Sequence, residues 1–201
     1  MPDSRPKVGK TLGMAEVVLF HHVQGLTPGI AAFADELRGD GHTVHTPDLF
    51  DGRTFDSIVD GMAFADAQPW QSWLERAVAA AGALPGDAVY AGFSFGVTSA
   101  QRLAMTRADA RGALLFESFI PAEYFGDWTP SIPVQIHGKQ DDAFFAEELP
   151  AARAFAAANP SVEMHTYPGN EHLFADRSLP SYDPEAASVL IGHVLDFLRP
   201  L

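Results

Sequence analysis

The first regular pattern along the chain is an apolar run from Ala15 to Phe20, broken only by Glu16, which reads as a buried strand over residues 15–20. The period then changes. Ile30, Phe33, Ala34 and Leu37 recur at the i, i+3, i+4, i+7 spacing of a helix with one apolar face. Thr27 supplies its cap and Pro28 its first turn, and Gly39 and Gly41 end it. A strand over 43–46 leads into a loop over 47–54. A helix over 69–81 follows, striped by Trp70, Trp73, Leu74, Ala77, Val78 and Ala81. Next come a strand over 87–92, a helix from 95 to about 106, and strands over 113–116 and 134–137. A helix over 146–158 stops before Pro160, because the residue preceding a proline is pushed out of the helical region. A strand over 162–167 and a closing helix over 184–198 complete the series, the helix burying Ala187, Leu190, Ile191, Val194 and Leu198.

Short apolar strands alternating with amphipathic helices predict an α/β fold, with a mostly parallel central sheet and helices on both faces. Residues 1–13 show no periodicity and are expected to be a flexible leader before a single domain over 14–201, which leaves little room for a separate lid domain. Ligands of such sheets bind at the carboxyl ends of the strands, so the chemistry is expected just after them.

Gly92-Phe93-Ser94-Phe95-Gly96 stands there, between a predicted strand and a predicted helix. It is a G-x-S-x-G nucleophile elbow: a turn so sharp that side chains two residues either side of the serine would collide with their neighbours, leaving the hydroxyl exposed over a helix N-terminus. A serine nucleophile needs a histidine base, and the base needs a carboxylate to fix its tautomer. Chain order supplies both after later strands. His137-Gly-Lys-Gln-Asp141-Asp142 offers two adjacent acids, of which normally only one can reach the base, and Gly169-Asn-Glu-His172-Leu-Phe174 offers the base. His21 and His22 end the first strand and His137 a later one, but they show no metal-ligand spacing; His42, His45, His165 and His193 read as structural or solvated.

These segments resemble the dienelactone hydrolase family of α/β-hydrolases over nearly all of residues 15–198. The matching pieces are His22-Val23-Gln24-Gly25-Leu26, Pro47-Asp48-Leu49-Phe50, the elbow, the His137–Asp142 loop and the turn from Tyr167 to Phe174. The resemblance implies an α/β-hydrolase fold, Ser94 as nucleophile, His172 as base, and an oxyanion hole built from the backbone N–H groups of Phe95 and Val23. The family's spacing from Pro133 puts the acid at Asp142, and a shorter Gly-x-x-Asp reading puts it at Asp141. It further implies a carboxylic ester hydrolase cleaving small ester or lactone bonds without metal or other cofactor. The chain departs from the family at four places. Ser94 stands for a cysteine, His22 for an acidic residue, and Val97 for a glycine; Asp176, followed by Arg177, stands where a substrate-binding arginine is expected. These departures argue against dienelactone itself as the substrate.

Composition narrows the partners. Twenty-six acidic against 13 basic residues give a formal charge of −13, which repels phosphate backbones and anionic membranes, so neither nucleic acid nor membrane is an expected partner. There is no cysteine, which excludes disulfides and thiolate chemistry. No stretch resembles a signal peptide or a membrane span, so the cytoplasm is the expected compartment, with the chain acting as a monomer or homodimer. Arg53, Phe144 and Phe174 are the expected substrate contacts; Arg53 alternatively pairs with Asp51 or Asp56. Glu117, at a strand end near the site, either orients a group or faces solvent. Two other readings use the same residues: a thioesterase or acyltransferase, and an inactive small-molecule-binding homologue.

Overall fold

The computed structural model describes residues 13–201. Its strands are β1 (Glu16–Phe20), β2 (Thr43–His45), β3 (Ala88–Phe93), β4 (Gly112–Phe116), β5 (Val134–Lys139) and β6 (Val162–Tyr167). Its helices are α1 (Pro28–Gly39), α2 (Ile58–Ala65), α3 (Trp70–Gly82), α4 (Phe95–Thr106), α5 (Ala122–Phe125), α6 (Leu149–Ala158) and α7 (Pro184–Leu198). The strands form one six-stranded sheet in the order β2-β1-β3-β4-β5-β6, parallel at every pairing. This is the α/β-hydrolase fold.

Alternate side chains of each strand enter different cores, as the two-residue period of a strand requires. Val18, Phe20, Tyr90 and Leu115 pack with the α3, α4 and α6 side, around Trp73, Val97, Leu103 and Ala152. Val17, Leu19, Val89, Ala91 and Leu114 pack with α1 and α7, around Ile30, Phe33, Leu37, Leu190 and Val194. With both faces covered, the central strands are buried almost throughout, which is why they read as continuous apolar runs.

Two helices fall where the sequence pattern predicts none. Helix α2 has only eight residues, with Gly61 inside it and exposed Val59 and Met62 spoiling the stripe. Ser57 caps it, its Oγ accepting from the Asp60 N–H at 3.1 Å and donating to the Asp60 carboxylate at 2.7 Å, and Ile58, Phe64 and Ala65 pack it on the core. Helix α5 is a single turn. The sixth helix starts at Leu149, not at 146, with Pro150 in its first turn, where the missing N–H costs nothing. The expected flexible leader lies outside the described residues except for Gly13, whose N–H reaches the Arg199 carbonyl at 3.3 Å. No helix among the described residues is long and apolar enough to cross a membrane.

The chain leaves β1, builds β2 on one side, and returns to place β3 on the other. That reversal opens a crevice at the carboxyl ends of β1 and β3, and the loops after β1, β3, β5 and β6 all converge there.

Candidate active site

Ser94 sits between the last residue of β3 and the first of α4, with φ 46° and ψ −110°. A non-glycine residue is strained in that region, and the surroundings hold it there. The Ser94 N–H donates to the Phe116 carbonyl at 2.7 Å, and the Ser94 carbonyl accepts from Val97 at 2.9 Å. A Cβ on Gly92 would lie 2.4 Å from the Gly96 carbonyl oxygen, and one on Gly96 would lie 2.5 Å from the carbonyl oxygen of Phe20. Both glycines are therefore demanded by the close passage of β3, α4 and the end of β1.

His172, in the loop after β6, meets the serine from the far side: its Nε2 lies 2.9 Å from Ser94 Oγ. Its Nδ1 lies 2.6 Å from Oδ2 of Asp142, in the loop after β5. An ionised carboxylate only accepts, so Nδ1 carries the proton and Nε2 is left to accept from the hydroxyl. Asp142 is buried, and its other oxygen accepts from the Phe144 N–H at 2.9 Å. Asp141 is exposed, and its backbone N–H donates to Gly169. Of the two adjacent acids, the structure brings Asp142 to His172. Burial works against a charge on His172, but the Asp142 hydrogen bond and the charges of Glu117, Asp142 and Glu148 outweigh it and raise its pKa.

Phe95 follows the serine, and Val23 lies in the loop after β1, whose end passes against Gly96. Phe95 is the first residue of α4, so its N–H has no acceptor within the helix. The Val23 N–H has no protein acceptor among the described residues. Its loop is clamped by Gln24, whose carbonyl accepts from Phe55 at 3.0 Å and whose side chain donates back to the Phe55 carbonyl at 2.9 Å. The unpredicted α2 presses on the same loop: a Cβ on Gly61 would lie 2.3 Å from the Val23 carbonyl oxygen.

The three expected substrate contacts separate. Phe144 is 57% exposed, with its ring centroid 4.8 Å from that of His172, so it overhangs the base. Arg53 is exposed, with its guanidinium 5.4 Å from the centre of the Phe64 ring. It makes no ion pair with Asp51 or Asp56 among the described residues, and Arg76 takes Asp51. Phe174, contrary to the expectation of a substrate contact, is fully buried in the α1/α7 core, against Tyr167 and beneath the Lys139 ammonium, and has no surface open to a substrate.

Further polar residues brace the site. His22 Nδ1 accepts from the Gln24 N–H at 3.2 Å, so its Nε2 carries the proton and donates to Asp176 at 2.8 Å. Thr27 donates to the same Asp176 oxygen, and Ser178 holds the other from its N–H at 2.8 Å and its hydroxyl at 2.6 Å. Burial opposes the Asp176 charge, but the hydrogen bonds from His22, Ser178 and Thr27 outweigh it and hold its pKa down. The β1 loop and the base-bearing loop are thus tied by a pair 154 residues apart in sequence. His21 is also buried: it donates from Nδ1 to the His22 carbonyl at 2.7 Å and accepts the Leu49 N–H at 3.0 Å, and burial lowers its pKa to about 4. Lys139, buried at the end of β5, pairs at 2.6 Å with both Glu171, beside the base, and Asp183, the cap of α7.

Glu117 does not face solvent. It stands after β4 with φ 62°, fully buried. Oε1 accepts from the Phe174 N–H at 2.9 Å, and Oε2 has no partner. Burial pushes its pKa up to about 7 against the opposing pull of His172.

The sequence profile of the dienelactone hydrolase family matches residues 8–201. The chain belongs to the dienelactone hydrolase family. A segment of 68 residues is 34% identical to a protein of Azospirillum brasilense described as a candidate carboxymethylenebutenolidase, covering 33% of this chain and 29% of that relative's length. Among solved structures, the chain is similar to a dienelactone hydrolase-like promiscuous phosphotriesterase from metagenomic libraries. That match has a TM-score of 0.76 at 22% identity and covers 96% of this chain and 89% of the other. A candidate dienelactone hydrolase of Klebsiella pneumoniae matches with a TM-score of 0.71 at 19% identity, covering 96% and 90%. An esterase of Pyrobaculum calidifontis matches at 0.63 and 15%, covering 98% and 78%. At such identities the likeness is one of fold. Membership of this family makes the chain a dienelactone hydrolase-like α/β-hydrolase, and two of its departures from the family pattern, His22 and Asp176, turn out to be bonded to each other.

Proposed function

We propose that the protein is a serine hydrolase that cleaves small carboxylic esters or lactones, with Ser94, His172 and Asp142 as its triad. The observation that carries this reading is the unbroken line from Asp142 Oδ2 through His172 to the hydroxyl of a strained Ser94, at 2.6 and 2.9 Å. Ser94 Oγ attacks the substrate carbonyl carbon as its proton passes to His172 Nε2. The oxyanion so formed takes the N–H groups of Val23 and Phe95, donors whose loss typically costs about 100- to 1,000-fold in rate. Collapse breaks the bond to the leaving oxygen, which takes the proton from His172 Nε2. Water then gives a proton to His172 and attacks the acyl carbon, and Ser94 leaves with that proton. Asp142 stabilises the imidazolium in both halves and holds the tautomer. The raised pKa of His172 fits a base that must carry charge transiently. No step calls for a cofactor.

The test is hydrolysis of p-nitrophenyl acetate, a small lactone panel and matched thioesters by wild type beside Ser94→Ala, with organophosphonate labelling of the serine. Turnover and labelling by wild type alone are the expected result. A folded wild type that neither turns over nor labels would overturn the reading in favour of a binding protein. A panel in which only thioesters react would move it to a thioesterase.

A further inference from the structure

Against α4, the helix that Ser94 precedes, lies a cavity of about 420 Å³ whose lining includes none of Ser94, His172 and Asp142. Thr98, one helical turn beyond Ser94 on α4, forms part of its wall. Trp70, Tyr124 and Phe125 supply aromatic faces, and Glu123, Glu147 and Glu148 supply carboxylates. No lysine or arginine lines it.

The cavity is coupled to the catalytic residues. Glu148 Oε2 accepts from the Phe119 N–H at 2.8 Å, fastening the segment after β4 to the loop that carries Asp142. The Glu148 carboxyl also lies within electrostatic reach of His172 and Asp142. Trp70 and Tyr124 are 49% and 70% exposed, so their rings are open to a ligand. Phe125 is partly occupied: the Arg102 guanidinium stands 5.7 Å from its ring centre, and its own ring leans on Trp70 at 6.1 Å. Glu123 and Glu147 are exposed and form no ion pair among the described residues.

Aromatic faces and unpaired carboxylates around one cavity are complementary to a cation. The ring quadrupole attracts positive charge over its face, and the carboxylates add a Coulomb attraction. The same wall disfavours an anionic group: the one guanidinium beside it, that of Arg102, stands over the Phe125 ring and is not part of the lining. We infer that this cavity binds an ammonium or trimethylammonium group of the substrate, so that the esters turned over best carry a positive charge on one arm. The inference rests on Ser94 being the nucleophile, and its test is arranged to separate the two.

In the kinetic arm, kcat/KM is compared for acetylcholine and its neutral isostere 3,3-dimethylbutyl acetate. Wild type is expected to favour the cationic ester at least tenfold. The preference falls towards parity in Glu123→Gln/Glu147→Gln and shrinks with added salt, while the neutral ester changes less than twofold. Asp196→Asn, on the far end of α7, controls for net charge and keeps the full preference. In the binding arm, choline and 3,3-dimethylbutan-1-ol are titrated against tryptophan fluorescence in wild type and Trp70→Phe, with no turnover needed. Choline is expected to bind at least tenfold more tightly than the alcohol, and to lose that margin in the double variant. Equal binding of the two probes, or a margin that survives removal of both carboxylates, overturns the inference whatever the catalytic result. Selective choline binding without turnover of any ester leaves the cation site standing and removes the hydrolase reading.

Discussion

The buried carboxyl of Glu117 sets up the sharpest test of the electrostatic account. Its pKa stands at about 7 in the folded protein against an ordinary 4.5, chiefly because burial disfavours the charge. Below pH 4.5 the group is neutral in both states and the shift has no effect on stability. Between 4.5 and 7 the unfolded chain loses the proton while the folded protein keeps it, so stability falls as pH rises. Above 7 the full penalty applies: an interval of two and a half pH units at about 1.4 kcal/mol each amounts to roughly 3 kcal/mol. Glu117→Gln keeps an oxygen for the Phe174 N–H and cannot ionise, so it escapes the penalty. Urea unfolding at fixed pH values from 4.5 to 8.5 reads the difference. The variant should match wild type within about 0.5 kcal/mol at pH 4.5 and exceed it by about 2–3 kcal/mol at pH 8. The Glu117 charge also helps raise the His172 pKa, so the acid limb of kcat/KM should move to lower pH in the variant. A stability difference that stays flat from pH 4.5 to 8.5 would refute the reasoning, because a purely steric effect of the amide has no such slope.

Three other substitutions probe the geometry. Asp142→Asn should lower kcat by about 10³- to 10⁴-fold with little change in fold, because it spoils the His172 tautomer, whereas Asp141→Asn should stay within about twofold; equal losses would refute the choice of acid. Gly96→Ala places a Cβ 2.5 Å from the Phe20 carbonyl and should cost about 1–3 kcal/mol in urea together with most of the activity; a fully active, stable variant would show that the elbow is not tight. Asp176→Ala leaves the buried His22 and Thr27 without their acceptor and should cost about 2–4 kcal/mol; a loss below about 0.5 kcal/mol would mean that the pair does not brace the site.

Much of the fold is visible in the sequence because a doubly covered parallel sheet imposes strong patterns. Its buried strands are apolar runs, and its longer helices keep a clean 3.6-residue stripe. The pattern fails where local packing is polar or short. Helix α2 has only a short inward stripe, Ile58, Gly61, Phe64 and Ala65, interrupted by the glycine that lets it approach the Val23 carbonyl, and its clearest signal is Ser57 three residues before Asp60. Residues 143–148 continue the composition of α6, but Pro150 sets the start of the helix three residues later than the apolar pattern suggests. Phe174 follows a loop histidine at a position that resembles a pocket wall, yet the positive φ of Leu173 turns the chain and sends the ring into the core.

The site divides in the same way. Ser94 and His172 are legible because the elbow and the strand-end turn each need a particular local geometry, and local geometry leaves a local motif. The choice between Asp141 and Asp142 is not local: it depends on which side chain the turn after β5 aims across at the loop after β6. The His22–Asp176 bond is least legible of all. Read singly, each of these residues looks like a lost function, an acid replaced by a histidine and an arginine by an aspartate. Read together, they are one exchange in which a neutral donor faces a buried carboxylate, with Thr27 and Ser178 completing its shell. That exchange puts a carboxylate where the family pattern has an arginine and leaves the cation one residue further on, at Arg177. Of the basic residues nearby, Arg177 is drawn outward to Glu36 and Lys139 is spent between Glu171 and Asp183. Arg53, in the loop after β2, stands over the Phe64 ring. The loop that carries His172 therefore presents no unpaired lysine or arginine to an anionic group, and the neighbouring cavity wall, with Glu123, Glu147 and Glu148, presents only carboxylates.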